Sequence, residues 1–201
     1  MENDFFVPVI GIVGYDGMSP SKNDVFFRLF LGKLGFGGIH TMFCSTMTRA
    51  KKFVANAFKI EKSSLEDERF LKTPVDERCT LTPMTFGEVI VRRYKFYSSD
   101  DVSKDLRKNK TFKGVMIFSD VRKKEEAEVI REHGGIIVHV NGIQVRRNFY
   151  EEEIDVPILD GDFYIKYDSE NDVTAFIYKH IRPYVKNKLQ TFYFARELKL
   201  V

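Results

Sequence analysis

Five short apolar runs punctuate the chain, and they set the reading of the fold. The first, VPVIGIVGY (Val7–Tyr15), is almost unbroken and rich in Val and Ile. A continuous run of this length fits a strand buried on both faces, as in parallel sheets. GVMIFSD (Gly114–Asp120) and GIIVHVNG (Gly135–Gly142) read the same way, GIHTMFC (Gly38–Cys44) reads as a further short strand, and VPILDGDFYIKYD holds a fifth. Between them lie segments with helical spacing. KNDVFFRLFLGKLG ends at Gly35, a natural helix stop, and STMTRAKKFVANAFKI offers Ser45 or Thr46 as N-cap. TPMTFGEVIVRRYKF opens on Thr82-Pro83, which predicts an N-cap and first-turn proline. Ser98/Ser99 predict the cap of a further helix, SDDVSKDLRKN. VRKKEEAEVIREHGG is amphipathic and closes at Gly134, and NDVTAFIYKHIRPYVKNKL is a last long helix that Pro183 should bend. Alternating buried strands and helices predict an α/β fold: three layers, with a parallel sheet of about five strands covered on both faces.

The segment Glu61–Leu81 breaks this rhythm. It is dense in charge and lacks a period, so it reads as a surface excursion with one short helix. The length of 201 residues suits a single domain spanning 1–201, with this excursion and a loop at about 141–157. The chain is 43% hydrophobic and 30% charged, ordinary for a globular protein. It contains no apolar run of membrane-spanning length, and the opening MENDFF is acidic where a secretory leader would be basic. A cytoplasmic protein without a membrane partner is expected. The net charge of +3 is too small to indicate nucleic acid. Cys44 and Cys79 form no CxxC and read as ordinary thiols. The four histidines have no metal-ligand spacing, so no metal site is expected.

Candidate chemistry gathers after the strands. In an open α/β sheet a phosphate would sit at the loop after the first strand, where backbone N–H groups and a helix N-terminus converge. That loop is GYDGMSPSKND. A P-loop needs G-x-x-x-x-G-K-S/T. Counted back from Lys22, the glycine positions hold Asp16 and Ser21, and the hydroxyl position holds Asn23. Counted forward from Gly14, they hold Ser19 and, for the lysine, Pro20. Neither frame fits. Gly14, Ser21, Lys22 and Asn23 are candidate phosphate contacts, and an ordinary βα loop is the alternative. Asp120 and Arg122 come at the end of a buried strand: Arg122 could grip a phosphate bidentately, and Asp120 could orient it or hold magnesium through water. The alternative is a helix N-cap and a surface arginine. Arg146 and Arg147 could cover transferring phosphates or simply lie in a solvated loop.

Four stretches together resemble the deoxynucleoside monophosphate kinases of tailed phages. FSDVRKKEEAEVIREHGGIIVHV is similar to that family's strand–DVR–acidic helix–GG–strand unit. EEEIDVPILDGDFYIKYDSENDVTAFIYKHI resembles its closing strand and helix, and RAKKFVANAFKIEKSSLEDERFLKTPV its second helix and charged excursion. LTPMTFGEVIVRRYKF resembles the helix that lines its monophosphate pocket. The resemblance implies a P-loop kinase-like fold and host cytoplasm. The implied reaction moves the γ-phosphoryl of ATP, with Mg2+, to a (deoxy)nucleoside monophosphate. Lys22 would hold the donor phosphates and Arg122 the acceptor phosphate, beside Asp120. Glu126 matches an acidic position of the family's following helix. Arg146 and Arg147 would serve as lid arginines, making the loop at about 141–157 lid-like. The P-loop glycines are absent, Met84 stands where the family has Arg after Thr-Pro, and Asn141 stands where an Arg follows the VxV strand. Arg92, Arg93, Arg146 and Arg147 are the candidate compensating charges. Two functions follow: a divergent kinase, or a kinase scaffold that has lost catalysis and binds a nucleotide or a protein.

Overall fold

The computed structural model describes residues 7–13, 30, 32–33, 39–75, 84–141, 154–166 and 169–197. Five strands, β1 (Val9–Val13), β2 (His40–Cys44), β3 (Gly114–Val121), β4 (Ile136–Asn141) and β5 (Phe163–Lys166), form one sheet in the order β2-β3-β1-β4-β5. Every pairing is parallel. All residues of β1 and β3 are buried, which is why their sequences carry no polar alternation. β2 stands at the sheet edge and is mostly half-exposed.

Helices cover both faces. On one, Ile10, Ile12, Val115 and Ile117 pack with Phe176, Ile177 and Val185. These last residues belong to a rod made of α5 (Glu170–Phe176), a π turn (Ile177–Ile181) and α6 (Arg182–Glu197). The π turn ends two residues before Pro183, whose missing N–H and ring disfavour a regular α-turn over the preceding residues. On the other face, Val9, Val13, Met116 and Phe118 pack against Val102 and Leu106 of α3 (Phe86–Lys108) and Ala127 and Ile130 of α4 (Lys124–Glu132). The result is the expected three-layer α/β/α arrangement. A third cluster joins α1 (Thr46–Phe58) to α3 through Val54, Leu65, Ile90 and Tyr94.

Helix ends follow local chemistry. Ser45 caps α1, its side chain accepting from the Thr48 N–H. α4 closes in a Schellman motif: Gly134, at φ 67°, bonds the Arg131 carbonyl, and Gly135 N–H reaches the Ile130 carbonyl.

Two expectations are corrected. α3 is capped by Thr85, not Thr82; Thr85 and Glu88 form a reciprocal capping box that TPMTF alone does not pick out. Ser98/Ser99 start no new helix, because α3 runs unbroken to Lys108 with Ser98 buried inside it. Among the described residues of the charged excursion, a 3-10 turn (Lys62–Glu66) precedes one short helix, α2 (Glu68–Leu71).

Candidate functional site

In this strand order, chain connections leave β1 and β3 toward opposite edges of the sheet. The crevice of an open α/β sheet opens at such a switch point, outside the carboxyl ends of the strands. β1 and β3 are hydrogen-bonded neighbours, so the end of β3 forms one wall. Their register breaks there. Gly11 pairs with Phe118 but Val13 pairs with Val121, so β3 carries one extra residue. Phe118 and Val121, three apart, consequently face the same hydrophobic layer. The irregularity falls on Ser119-Asp120, and it re-aims Asp120.

Asp120 is buried, and its carboxylate is turned to the start of α1. Oδ2 accepts from Ser45 Oγ at 2.9 Å and from the Met47 N–H at 3.1 Å, while Oδ1 accepts from the Thr46 N–H at 3.3 Å. It satisfies orphan donors and complements the positive end of the helix dipole. Asp120 therefore acts as a cap, but of a helix 75 positions back in sequence rather than of the helix that follows it. Burial raises its pKa; the Ser45 hydroxyl, the helix N–H groups and Arg122 oppose that rise.

Glu126, in the first turn of α4, is also fully buried. Its Oε2 accepts from Tyr94 Oη at 2.8 Å, the Arg122 N–H at 3.0 Å and the Lys123 N–H at 3.1 Å. Oε1 accepts from Thr46 Oγ1 at 3.0 Å. One carboxylate thus ties α1, α3, the end of β3 and α4 together. Burial again raises its pKa, aided by the nearby Asp120 charge and opposed by its hydrogen bonds. The Tyr94 phenol is pushed far above its usual range by burial and by both carboxylates.

A carboxylate offers about four lone-pair sites. Glu126 accepts four protein donors, three on Oε2 and one on Oε1, and Asp120 accepts three. Neither is a free general base, and among the described residues no group of three His, Cys, Asp or Glu could hold a metal ion.

Arg122 is buried, at 8% exposure, not a surface arginine. Its backbone N–H is bound by Glu126, and its positive charge works to lower the pKa of both Asp120 and Tyr94. Asp120 and Arg122 are brought together; Gly14, Ser21, Lys22, Asn23, Arg146 and Arg147 lie outside the described residues. Of the compensating charges, Arg93 is committed elsewhere. It makes a two-point contact with Asp101, 2.9 and 3.2 Å, and lies 4.4 Å over the Tyr97 ring. Arg92 is exposed, with its Nη1 3.8 Å from the sulfur of Met84.

Spacing gave no sign that Ser45, Thr46 and Tyr94 belong to this cluster, since their partners are 32 to 80 positions away. A second charged cluster was also invisible. Arg131 binds Asp162 at 2.6 and 3.1 Å, and His139 Nε2 lies 3.1 Å from the same carboxylate. It fastens the loop before β5 onto α4 and β4. Burial works to raise the Asp162 pKa, but Arg131, the Leu159 N–H and His139 outweigh it and hold it low.

Comparison with protein-family models and with curated proteins returned no match for this chain. No helix among the described residues is long and apolar enough to cross a membrane.

Proposed function

We propose that the protein is a deoxynucleoside monophosphate kinase-like protein whose crevice receives the phosphate of a (deoxy)nucleoside monophosphate on Arg122. One observation carries this reading: Asp120 and Val121 close β3 at the sheet's switch point, beside the strand irregularity, and the buried Arg122 follows directly, its backbone N–H held by the buried Glu126 carboxylate. A buried guanidinium is a strong phosphate anchor, because charge-assisted bonds strengthen away from water. ATP would lie along the loop after β1, with Lys22 at the donor phosphates, and magnesium would be shared with phosphate oxygens. Arg146 and Arg147 would close over the transferring group.

A second reading is favoured by a specific feature. The loop GYDGMSPSKND lacks both P-loop glycines, contains Pro20, which has no N–H, and carries Asp16 where a phosphate would lie. Such a scaffold binds a nucleotide or a protein without transferring phosphate efficiently. The deciding experiment is calorimetric titration with ATP and each deoxynucleoside monophosphate, followed by a turnover assay on whatever binds. Saturable monophosphate binding that Arg122→Ala weakens supports the proposal; its absence for every monophosphate rejects it.

A further inference from the structure

Away from the crevice, a groove of about 540 Å³ runs beside the edge strand β2. Met42, Phe43 and Cys44 form its apolar wall, α1 contributes Arg49 and Lys52, and α3 contributes Asp105 and Lys108. Its size is that of a small-molecule site.

The charges are arranged by helical spacing. Arg49 and Lys52 are three apart on α1, and Asp105 and Lys108 are three apart on α3, so each pair shares one helix face. Arg49 pairs with Asp105 across the groove, which fixes a guanidinium within it. Lys52 and Lys108 are exposed and have no ion-pair partner among the described residues. Three cations against one carboxylate leave a net charge of about +2 in the groove, which favours an anion of charge about −2. Cys44 adds no negative charge: burial, helped by Asp105, pushes its thiol up to about 12. Beside the cations stands Phe43, a 43% exposed ring that offers a surface for an apolar or planar body.

We propose that this groove is a second ligand site, which takes a small phosphate monoester, with the phosphate between Lys52, Lys108 and Arg49 and the organic body against Phe43. The site would be separate from the crevice: Tyr94, Asp120, Arg122 and Glu126 do not line the groove, and Ser45 is the one lining residue that bonds Asp120.

The test is a two-dimensional amide NMR titration of the full chain with a deoxynucleoside monophosphate, inorganic phosphate and the unphosphorylated nucleoside. Wild type, Lys52→Glu/Lys108→Glu and Arg122→Ala are compared. The expected result is saturable movement of the Thr48, Lys52, Lys108 and Asn109 amides with the monophosphate and, more weakly, with phosphate. The lysine double variant should weaken this by about tenfold or more, and Arg122→Ala should leave it in place. Both lysines are exposed, so the double variant should keep the wild-type spectrum elsewhere. No movement at millimolar monophosphate overturns the proposal. So does movement that survives the lysine substitutions, or that Arg122→Ala abolishes, since the signal then comes from elsewhere.

Discussion

Ser45 Oγ donates to Asp120 Oδ2 at 2.9 Å, joining the first residue after β2 to the end of β3. Through this contact the start of α1 is held against the carboxyl edge of the sheet. Ser45 itself accepts from the Thr48 N–H, so the cap of α1 and the carboxylate of β3 form one unit. Asp120→Ala removes acceptors for three buried or half-buried donors, each worth about 1–3 kcal/mol when left unpaired. With partial relaxation, the expected loss is about 2–4 kcal/mol, read from urea unfolding. A loss under about 0.5 kcal/mol would mean that the contact does not hold α1 in place.

Tyr94 and Glu126 make a cleaner pair for dissection. Tyr94→Phe deletes one hydroxyl and leaves Glu126 three other donors. It should cost about 1.5–3 kcal/mol, the range for a bond to a charged group. In a Glu126→Gln background the same change should cost clearly less, because the two residues share one network. Additive costs in the double-mutant cycle would contradict the shared network.

The buried pair also sets a pH dependence. Burial raises the pKa of Asp120 and of Glu126 above their unfolded values, so the folded state holds protons that the unfolded state has released. Their contribution to stability is fully present below about pH 4 and falls as pH rises through the folded pKa values. Asp162 has the opposite sign: its pKa is held low, so its contribution is present above about pH 4 and is lost as pH falls. Asp120→Asn mimics the protonated acid. Its stability deficit relative to wild type should therefore shrink between pH 4.5 and pH 8, about the window above the unfolded pKa. A deficit that grows over this range in chemical denaturation would reverse the assignment.

The altered loop predicts slow chemistry. A P-loop works because successive N–H groups converge on a phosphate, and Pro20 removes one while restricting Ser19. Turnover with ATP and the common deoxynucleoside monophosphates should be weak or absent in the natural protein. Rebuilding Gly14–Lys22 as G-x-x-x-x-G-K should raise it if only the donor site is lost. Fast turnover by the natural protein would contradict this prediction.

How much of this was legible depends on the range of the interaction. β1 and β3 could be read because strands buried on both faces are apolar without interruption, and Gly134 marked a helix end because αL geometry favours glycine. Ser98 misled because serine is a common cap, whereas here tertiary packing buries it mid-helix. Thr82 and Thr85 offer two caps three residues apart, and only Thr85 has Glu88 in place to close a box. At the site, Asp120 and Arg122 were visible from their place at a strand's end. Their partners Ser45, Thr46 and Tyr94 were not, because the crossovers bring them together from distant parts of the chain. The Arg131–Asp162–His139 cluster is hidden for the same reason.

Calorimetric titration of the wild-type protein and Arg122→Ala with the four deoxynucleoside monophosphates tests the central claim most directly. The account predicts saturable binding of at least one monophosphate by the wild type, weakened in Arg122→Ala by about 1.5–3 kcal/mol, the range for charged hydrogen bonds. Equal affinity in the two proteins, or no binding of any monophosphate at millimolar concentration by a folded wild type, would contradict it.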